Sequence, residues 1–246
     1  MKFHTNNYIV EMDLTSAQFG LHKDQISLLE KQLLEIGTLF PYFADICSFR
    51  NGILRYESET LLPVQTKSEK QKVLLVLGNP AINSVRNGMF FFSKNNGDRH
   101  GFWGKLAKAG LMQGIRQETR HQEAVLRRNM ILNESASKHY TLGLTTFYSF
   151  PTPGADTDRF SGVAGVEKLF APVIKKVLLL ESQRILSYRF VDNAIVVFTQ
   201  KSSRQRFYKI TGIKPAYWPI RGTDSSGKKL AERLSSATPI RLQNVL

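Results

Sequence analysis

The chain is short of cysteine, of clustered histidine, of acid and of long apolar runs, and each shortage closes off a class of function. Its one cysteine, Cys47, excludes an intramolecular disulfide and any four-cysteine zinc or iron–sulfur site. The five histidines (His4, His22, His100, His121 and His139) are scattered, with no H-x-x-x-H or H-E-x-x-H spacing, so a protein-held metal is not expected. No run of about 18 apolar residues marks a membrane span, and residues 1–14 lack the apolar core of a signal peptide. The expectation is a cytosolic protein, or a nuclear one in a nucleated cell, with no membrane partner. There is neither a G-x-x-x-x-G-K-[ST] loop nor a G-x-G-x-x-G, which ranks a nucleotide-binding function last. Acid is scarce: 20 Asp and Glu face 34 Lys and Arg, for a net charge of +14 and a pI near 9.9. Such an excess favours a polyanionic partner, because basic surfaces attract phosphate backbones and release their counterions. Anionic lipid is the competing partner, but no long basic amphipathic helix supports it.

What is present is the alternation of an α/β protein. Residues 73–77 (VLLVL) form a short apolar run after the charged segment KSEKQK, the pattern of a strand buried on both faces. It breaks at Gly78-Asn79-Pro80, a turn by composition. Phe90, Phe91 and Phe92 follow, then a predicted helix over 99–111. Residues 118–138 read as a helix carrying Arg120, Arg127, Arg128 and Lys138. Further apolar runs at 140–148 (YTLGLTTFY) and 194–199 (AIVVFT) read as the second and third strands, with a long helical pattern over 163–186 between them. Residues 213–220 are a fourth strand, which Pro215 and Pro219 restrict to a short or edge element. A last helix is expected over 226–234. Strands alternating with helices predict a mostly parallel sheet with helices on both faces. Ligands of such sheets bind outside the carboxyl ends of the strands, where Gly78-Asn79-Pro80 lies.

The first 62 residues read as helical and peripheral. One helix is expected from Asp24, with apolar residues at 26, 28, 29, 33, 34 and 36 and Gly37 as its stop; an aromatic piece over 39–49 packs on the main body. The entry to the sheet is placed at residues 66–72. The Asp156-Thr157-Asp158 pair of acids is read as a solvated loop.

These residues resemble the uracil-DNA glycosylase superfamily, closest to its mismatch-specific uracil/thymine branch. That branch carries G-I-N-P-G at the end of its first strand, and Leu77-Gly78-Asn79-Pro80-Ala81 keeps Asn-Pro in register. An aromatic loop and an N-H-F-W-type helix start leading to A-G-L are matched by Phe90–Phe92, by Arg99-His100-Gly101-Phe102-Trp103 and by Ala109-Gly110-Leu111. Gly143-Leu144-Thr145-Thr146-Phe147 with Thr152-Pro153-Gly154 resembles G-F-T-N-M…T-P-G, and Val197-Phe198-Thr199-Gln200-Lys201 resembles V-F-N-G-K. The likeness runs from about residue 73 to residue 220. It departs at the last motif, where Trp218-Pro219-Ile220-Arg221-Gly222-Thr223 keeps the proline, lacks a histidine and delays the serines to Ser225 and Ser226.

One domain is expected over 1–246: a three-layer α/β/α body with a central four-stranded, mostly parallel sheet, as the resemblance implies, and a helical extension over 1–65 packed on it, read from its own pattern because residues 1–62 match nothing in the family. The resemblance implies a cofactor-independent, metal-free monomer acting on single- or double-stranded DNA that contains a damaged or mismatched base. The base leaves the stack, which costs a few kcal/mol, and its bond to deoxyribose is hydrolysed. Asn79 is the implied catalytic residue. An amide is a poor base, so it orients the attacking water rather than taking its proton. Gly78, Pro80, Ala81, Asn83, Phe91, Phe92 and Thr146 are the implied base-binding residues. Phe92, directly before Ser93, is the first choice for stacking and Phe91 the second; adjacent side chains of a strand face opposite ways, so all three phenylalanines cannot line one pocket. Lys201, Ser202, Ser203, Arg204 and Arg221 are the implied DNA contacts. A non-catalytic nucleic-acid-binding relative is the alternative, motivated by the altered last motif.

Overall fold

Runs of β-branched and aliphatic residues at 71–77, 140–146 and 194–198 form strands, the remaining strands are shorter or mixed, and the strands assemble into two sheets. The computed structural model describes residues 2–4 (backbone), 8–63, 69–94, 97–154 and 159–242. Asp156, Thr157 and Asp158 lie outside the described residues, as does the start of the expected sheet entry, residues 66–68. The chain divides into two units that interleave along the sequence: Met1–Glu59, Asn79–Phe90 and Tyr148–Glu181 form the first, and Thr60–Gly78, Phe91–Phe147 and Ser182–Leu246 the second.

The first unit is built on an antiparallel sheet. Strands β1 (Lys2–His4), β2 (Ile9–Asp13), β3 (Cys47–Arg50) and β4 (Ile53–Glu57) lie in the order β1-β2-β4-β3. Helices α1 (Lys23–Leu39) and α2 (Phe43–Ile46) fall between β2 and β3. The expected helical extension is therefore wrong in kind. Val10 and Met12 on β2 and Leu54 and Tyr56 on β4 are buried while their neighbours are not, the period of two of a sheet with one buried face. Asn51 and Gly52 both have positive φ, +52° and +76°, and join β3 to β4 as a two-residue hairpin with Arg50 opposite Ile53. This Asn-Gly pair between apolar residues is the sequence signal of that hairpin. Helix α1 also runs past Gly37, to Leu39. The aromatic core of this unit closes on Phe150, whose ring meets Phe43, Tyr56 and Phe170 edge-on at 5.0–6.2 Å.

The second unit carries the α/β sheet. Strands β5 (Thr60–Leu61), β6 (Gln71–Leu77), β7 (Tyr140–Thr146), β8 (Ala194–Phe198) and β9 (Ala216–Tyr217) lie in the order β5-β7-β6-β8-β9. All pairs are parallel except β5 with β7. Five strands stand where four were expected; the addition is the two-residue edge β5. Central β6 buries Val73 through Leu77 completely, and each such side chain contributes about 1.5–3 kcal/mol of transfer free energy. The Pro-flanked β9 is an edge, as its prolines require. Helices α4 (Gly101–Lys108), α5 (Arg120–Leu132), α8 (Lys201–Thr211) and α9 (Gly227–Ser236) complete this unit. In the first unit α3 (Ile82–Arg86) follows the Asn-Pro turn. The expected long helix over 163–186 is interrupted: α6 (Gly162–Leu169) ends before a 3-10 turn containing Pro172, and α7 (Ile174–Ser187) begins after it. Proline has no N–H to continue the helical ladder. Among the described residues no helix is long and apolar enough to cross a membrane.

Candidate active site

In the first unit, Asn79 sits at a crossing of two chain segments. Ala81 and Thr152 form a parallel bridge, in which the Thr152 N–H donates to Pro80 O at 3.1 Å and the Ile82 N–H donates to Thr152 O at 3.0 Å. Thr152 is wholly buried. Asn79 Nδ2 donates to Thr152 Oγ1 at 2.7 Å and to Pro80 O at 3.1 Å. Thr152 Oγ1 also accepts from the Gly162 N–H at 2.9 Å and donates to Pro153 O at 3.2 Å. A carbonyl oxygen only accepts, so Pro80 O settles which end of the amide is the nitrogen. The Asn79 carbonyl oxygen is thereby fixed in the opposite direction and meets no donor among the described residues. Asn79 is half-buried. It is an oriented acceptor within reach of solvent. Pro80 is buried, Ala81 N-caps α3 without a side-chain bond, and Asn83 is exposed on α3 with its oxygens accepting from Asn87 Nδ2.

In the second unit, the parallel strands β6, β7, β8 and β9 deliver Gly78, Thr146, Lys201 and Trp218 to one edge of the sheet. Thr146 has no exposed surface, and its hydroxyl meets no partner among the described residues. Below it the buried Arg184 on α7 donates to Thr146 O, Phe147 O and Thr145 Oγ1, fixing the end of β7. Of the three phenylalanines, Phe90 belongs to the first unit and is buried. Phe91 and Phe92 are both half-buried and lie in a turn, not a strand. Phe91 takes φ of +48°, a left-handed conformation that costs a bulky residue on the order of 1–3 kcal/mol and is found at functional sites. Trp103 Nε1 holds it there by donating to Phe91 O at 3.2 Å. The Phe91 ring lies 4.2 Å from that of Phe102 and 4.5 Å from that of His100, tilted 34° to each.

His100 caps α4, its Nδ1 accepting from the Phe102 N–H at 3.2 Å; the neutral ring then carries its proton on Nε2. Burial, together with the charges of Arg221, Lys94 and Lys105, holds the His100 imidazole below its ordinary pKa, so it is a neutral donor at pH 7. No family model matches the chain, and no curated protein does either. Burial pushes the Cys47 thiol far above its usual range.

The basic residues divide. Lys201 and Ser202 are exposed at the start of α8, and Arg221 is exposed in the loop before α9. Ser203 is fully buried, its hydroxyl without a partner among the described residues, and Arg204 turns to Pro215, with Nε donating to the carbonyl at 2.7 Å. Lys105 Nζ donates to Ile220 O at 2.6 Å and Ser225 Oγ at 2.8 Å, anchoring the loop that carries Arg221. Two residues of evident consequence had no role assigned from sequence. Thr152 belonged to the quoted Thr-Pro-Gly motif and His100 to the quoted helix start; only folding brings Asn79 to Thr152, whereas the Phe102 N–H capped by His100 is two residues away.

Proposed function

We propose that this protein is a DNA glycosylase that hydrolyses the N-glycosidic bond of uracil, or of a related deaminated or mismatched base, in DNA. The observation that carries the reading is the Asn79 amide, held from behind by Thr152 and Pro80 with its carbonyl oxygen turned outward. Water that donates to this oxygen is aligned for attack on a sugar carbon, and alignment rather than basicity is what an amide supplies. Cleavage places negative charge on the departing base, so the reaction suits a base that is already a good leaving group. Thr146, enclosed as it is, touches no base in this conformation. The reading carries with it a three-layer α/β/α arrangement about the second unit's sheet, action as a cytosolic or nuclear monomer, and chemistry without metal or cofactor.

The test is release of base from oligonucleotides carrying U·G, U·A, T·G or hypoxanthine pairs, and from single strands carrying uracil, read as strand cleavage at abasic sites after alkali. Absence of cleavage from every substrate at high protein concentration would overturn the reading. Replacing Asn79 by Ala is expected to lower the single-turnover rate about a hundredfold; an unimpaired variant removes Asn79 from the mechanism.

A second reading, a nucleic-acid-binding protein without turnover, is favoured by the last motif. Ser225 is buried against Lys105, and Ser226 Oγ caps α9 by accepting from the Lys229 N–H at 3.2 Å. Both delayed serines are occupied within the protein. Binding of DNA with no base released would select this reading.

A further inference from the structure

Beyond the start of α8, its whole outer face is unusual for a surface helix: it carries cations and an aromatic ring but no acid. Phe207 and Ser203 are fully buried and anchor the inner face, and Arg204 ties the helix to Pro215. Opposite them, Lys201, Gln205 and Tyr208 recur at i, i+4 and i+7, one straight ridge about 10 Å long. Lys209 flanks it. All four are exposed, and the Tyr208 side chain is bare to the extent of 49%. From residue 193 to residue 223 the sequence holds six Lys and Arg and no Asp or Glu. The surroundings share the bias: the second unit holds 24 Lys and Arg against 8 Asp and Glu, or +16, whereas the first holds 10 against 12, or −2. The entire positive excess of the chain lies in the unit that bears α8.

We infer that the outer face of α8 is a docking surface for single-stranded nucleic acid, with Lys201 and Lys209 on phosphates and Tyr208 stacked on an unpaired base. Charge complementarity selects a polyanion. The exposed ring selects a single strand, because a duplex presents its base faces only to each other, whereas unstacked bases pack on aromatic side chains regardless of sequence. The surface shares the nucleic-acid partner of the reading above but needs none of its chemistry.

The probe is a fluorescent thymidine 15-mer, without uracil or mismatch, titrated with the full chain and followed by anisotropy at several salt concentrations. Tyr208→Ala is expected to weaken binding at least about fivefold, the low end of what one stacked base contributes, while Tyr208→Phe binds like the parent. Joint replacement of Lys201 and Lys209 by Gln should reduce the slope of log K against log salt by about 1.4, at about 0.7 per neutralised phosphate on a single strand. The inference falls if the parent does not bind, if Tyr208→Ala binds as the parent does, if Tyr208→Phe is as weak as Tyr208→Ala, or if Tyr208→Ala weakens binding of a blunt duplex as much as that of the single strand. Turnover is read separately. A protein that releases no base but binds more weakly without the Tyr208 ring keeps this surface and removes the glycosylase reading; an active glycosylase indifferent to Tyr208 does the reverse.

Discussion

Thr152 is the residue on which the Asn79 amide depends, and its hydroxyl serves three neighbours at once. Thr152→Val removes the acceptor for Asn79 Nδ2 and for the Gly162 N–H inside a wholly buried position. A loss of about 1–3 kcal/mol in urea unfolding is expected from the stranded donors, and up to about a hundredfold in base release from the freed amide. Thr152→Ser, which keeps the oxygen, should recover most of the rate; if it does not, the hydroxyl is not what holds Asn79. His100 makes a pH prediction. Its folded pKa lies below the usual 6.5, first because of burial and then because of Arg221, Lys94 and Lys105. The unfolded chain therefore takes the proton more readily. The stability from neutral His100 is complete above pH 6.5 and is lost as pH falls below that value and through the folded pKa. His100→Asn, which can still cap α4 but does not titrate, should narrow the drop in urea midpoint between about pH 8 and about pH 5.5, the range in which histidine changes charge. An unchanged drop places the titration elsewhere. At this scale the sequence reveals Asn79, because Asn-Pro directly after a buried run is visible locally. It hides Thr152, whose partner is 73 residues away, and the left-handed backbone of Phe91, whose carbonyl Trp103 meets from twelve residues away.

Two elements of the second unit are held by single residues whose replacement would be felt across a helix. Glu123 on α5 has no exposed surface and meets Arg99 at 2.6 Å, Arg127 at 3.1 Å and Arg120 at 3.7 Å. Burial alone would push its carboxyl up, but the Arg99 hydrogen bond, the Gln117 N–H and the charges of Arg127 and Arg99 outweigh burial and leave it below the usual carboxylate range. Glu123→Gln leaves the buried Arg127 guanidinium without its counter-charge, while Arg99 and Arg120 keep the carbonyls of Gln117 and Gly97, and a loss of about 1–3 kcal/mol is expected in denaturant unfolding. Gly227, at the start of α9, lies so close to α4 that a Cβ there would sit 2.4 Å from Lys105 O and 2.6 Å from Lys108 Cβ. Gly227→Ala must push α9 from α4, costing about 1–3 kcal/mol and disturbing the Lys105 anchor of the Arg221 loop. Parent-like stability of this variant would show that the two helices yield freely. Elements were legible where one pattern ruled: β6, β7 and β8 begin within two residues of their expected positions because apolar runs flanked by turns have one good solution. Residues 1–62 read as helical because their strands are short and half-buried while α1 carries the one strong period, and the Asn51-Gly52 hairpin signal is absent from that reading.

For the whole molecule, the decisive quantity is where the charge lies rather than how much there is. A net charge of +14 permits a diffuse attraction to any polyanion, in which every exposed cation counts alike. The division into +16 and −2 between the units permits something narrower, since charges separated by more than about 8–10 Å are largely screened at physiological salt. Two double variants with the same change in net charge separate the cases. Lys228→Gln with Arg233→Gln neutralises exposed cations of α9 in the second unit; Lys23→Gln with Lys31→Gln does so on α1 in the first. If placement rules, the α9 pair lowers affinity for an undamaged DNA duplex and flattens its salt dependence, by up to about 0.9 in slope for each phosphate no longer neutralised. The α1 pair then leaves both unchanged. Equal effects from the two pairs would mean that net charge alone draws the DNA. Composition announces a basic protein, but it averages over a chain that switches between its two units five times along the sequence. Folding gathers Thr60–Gly78, Phe91–Phe147 and Ser182–Leu246, each with more cations than acids, into one body with a sign.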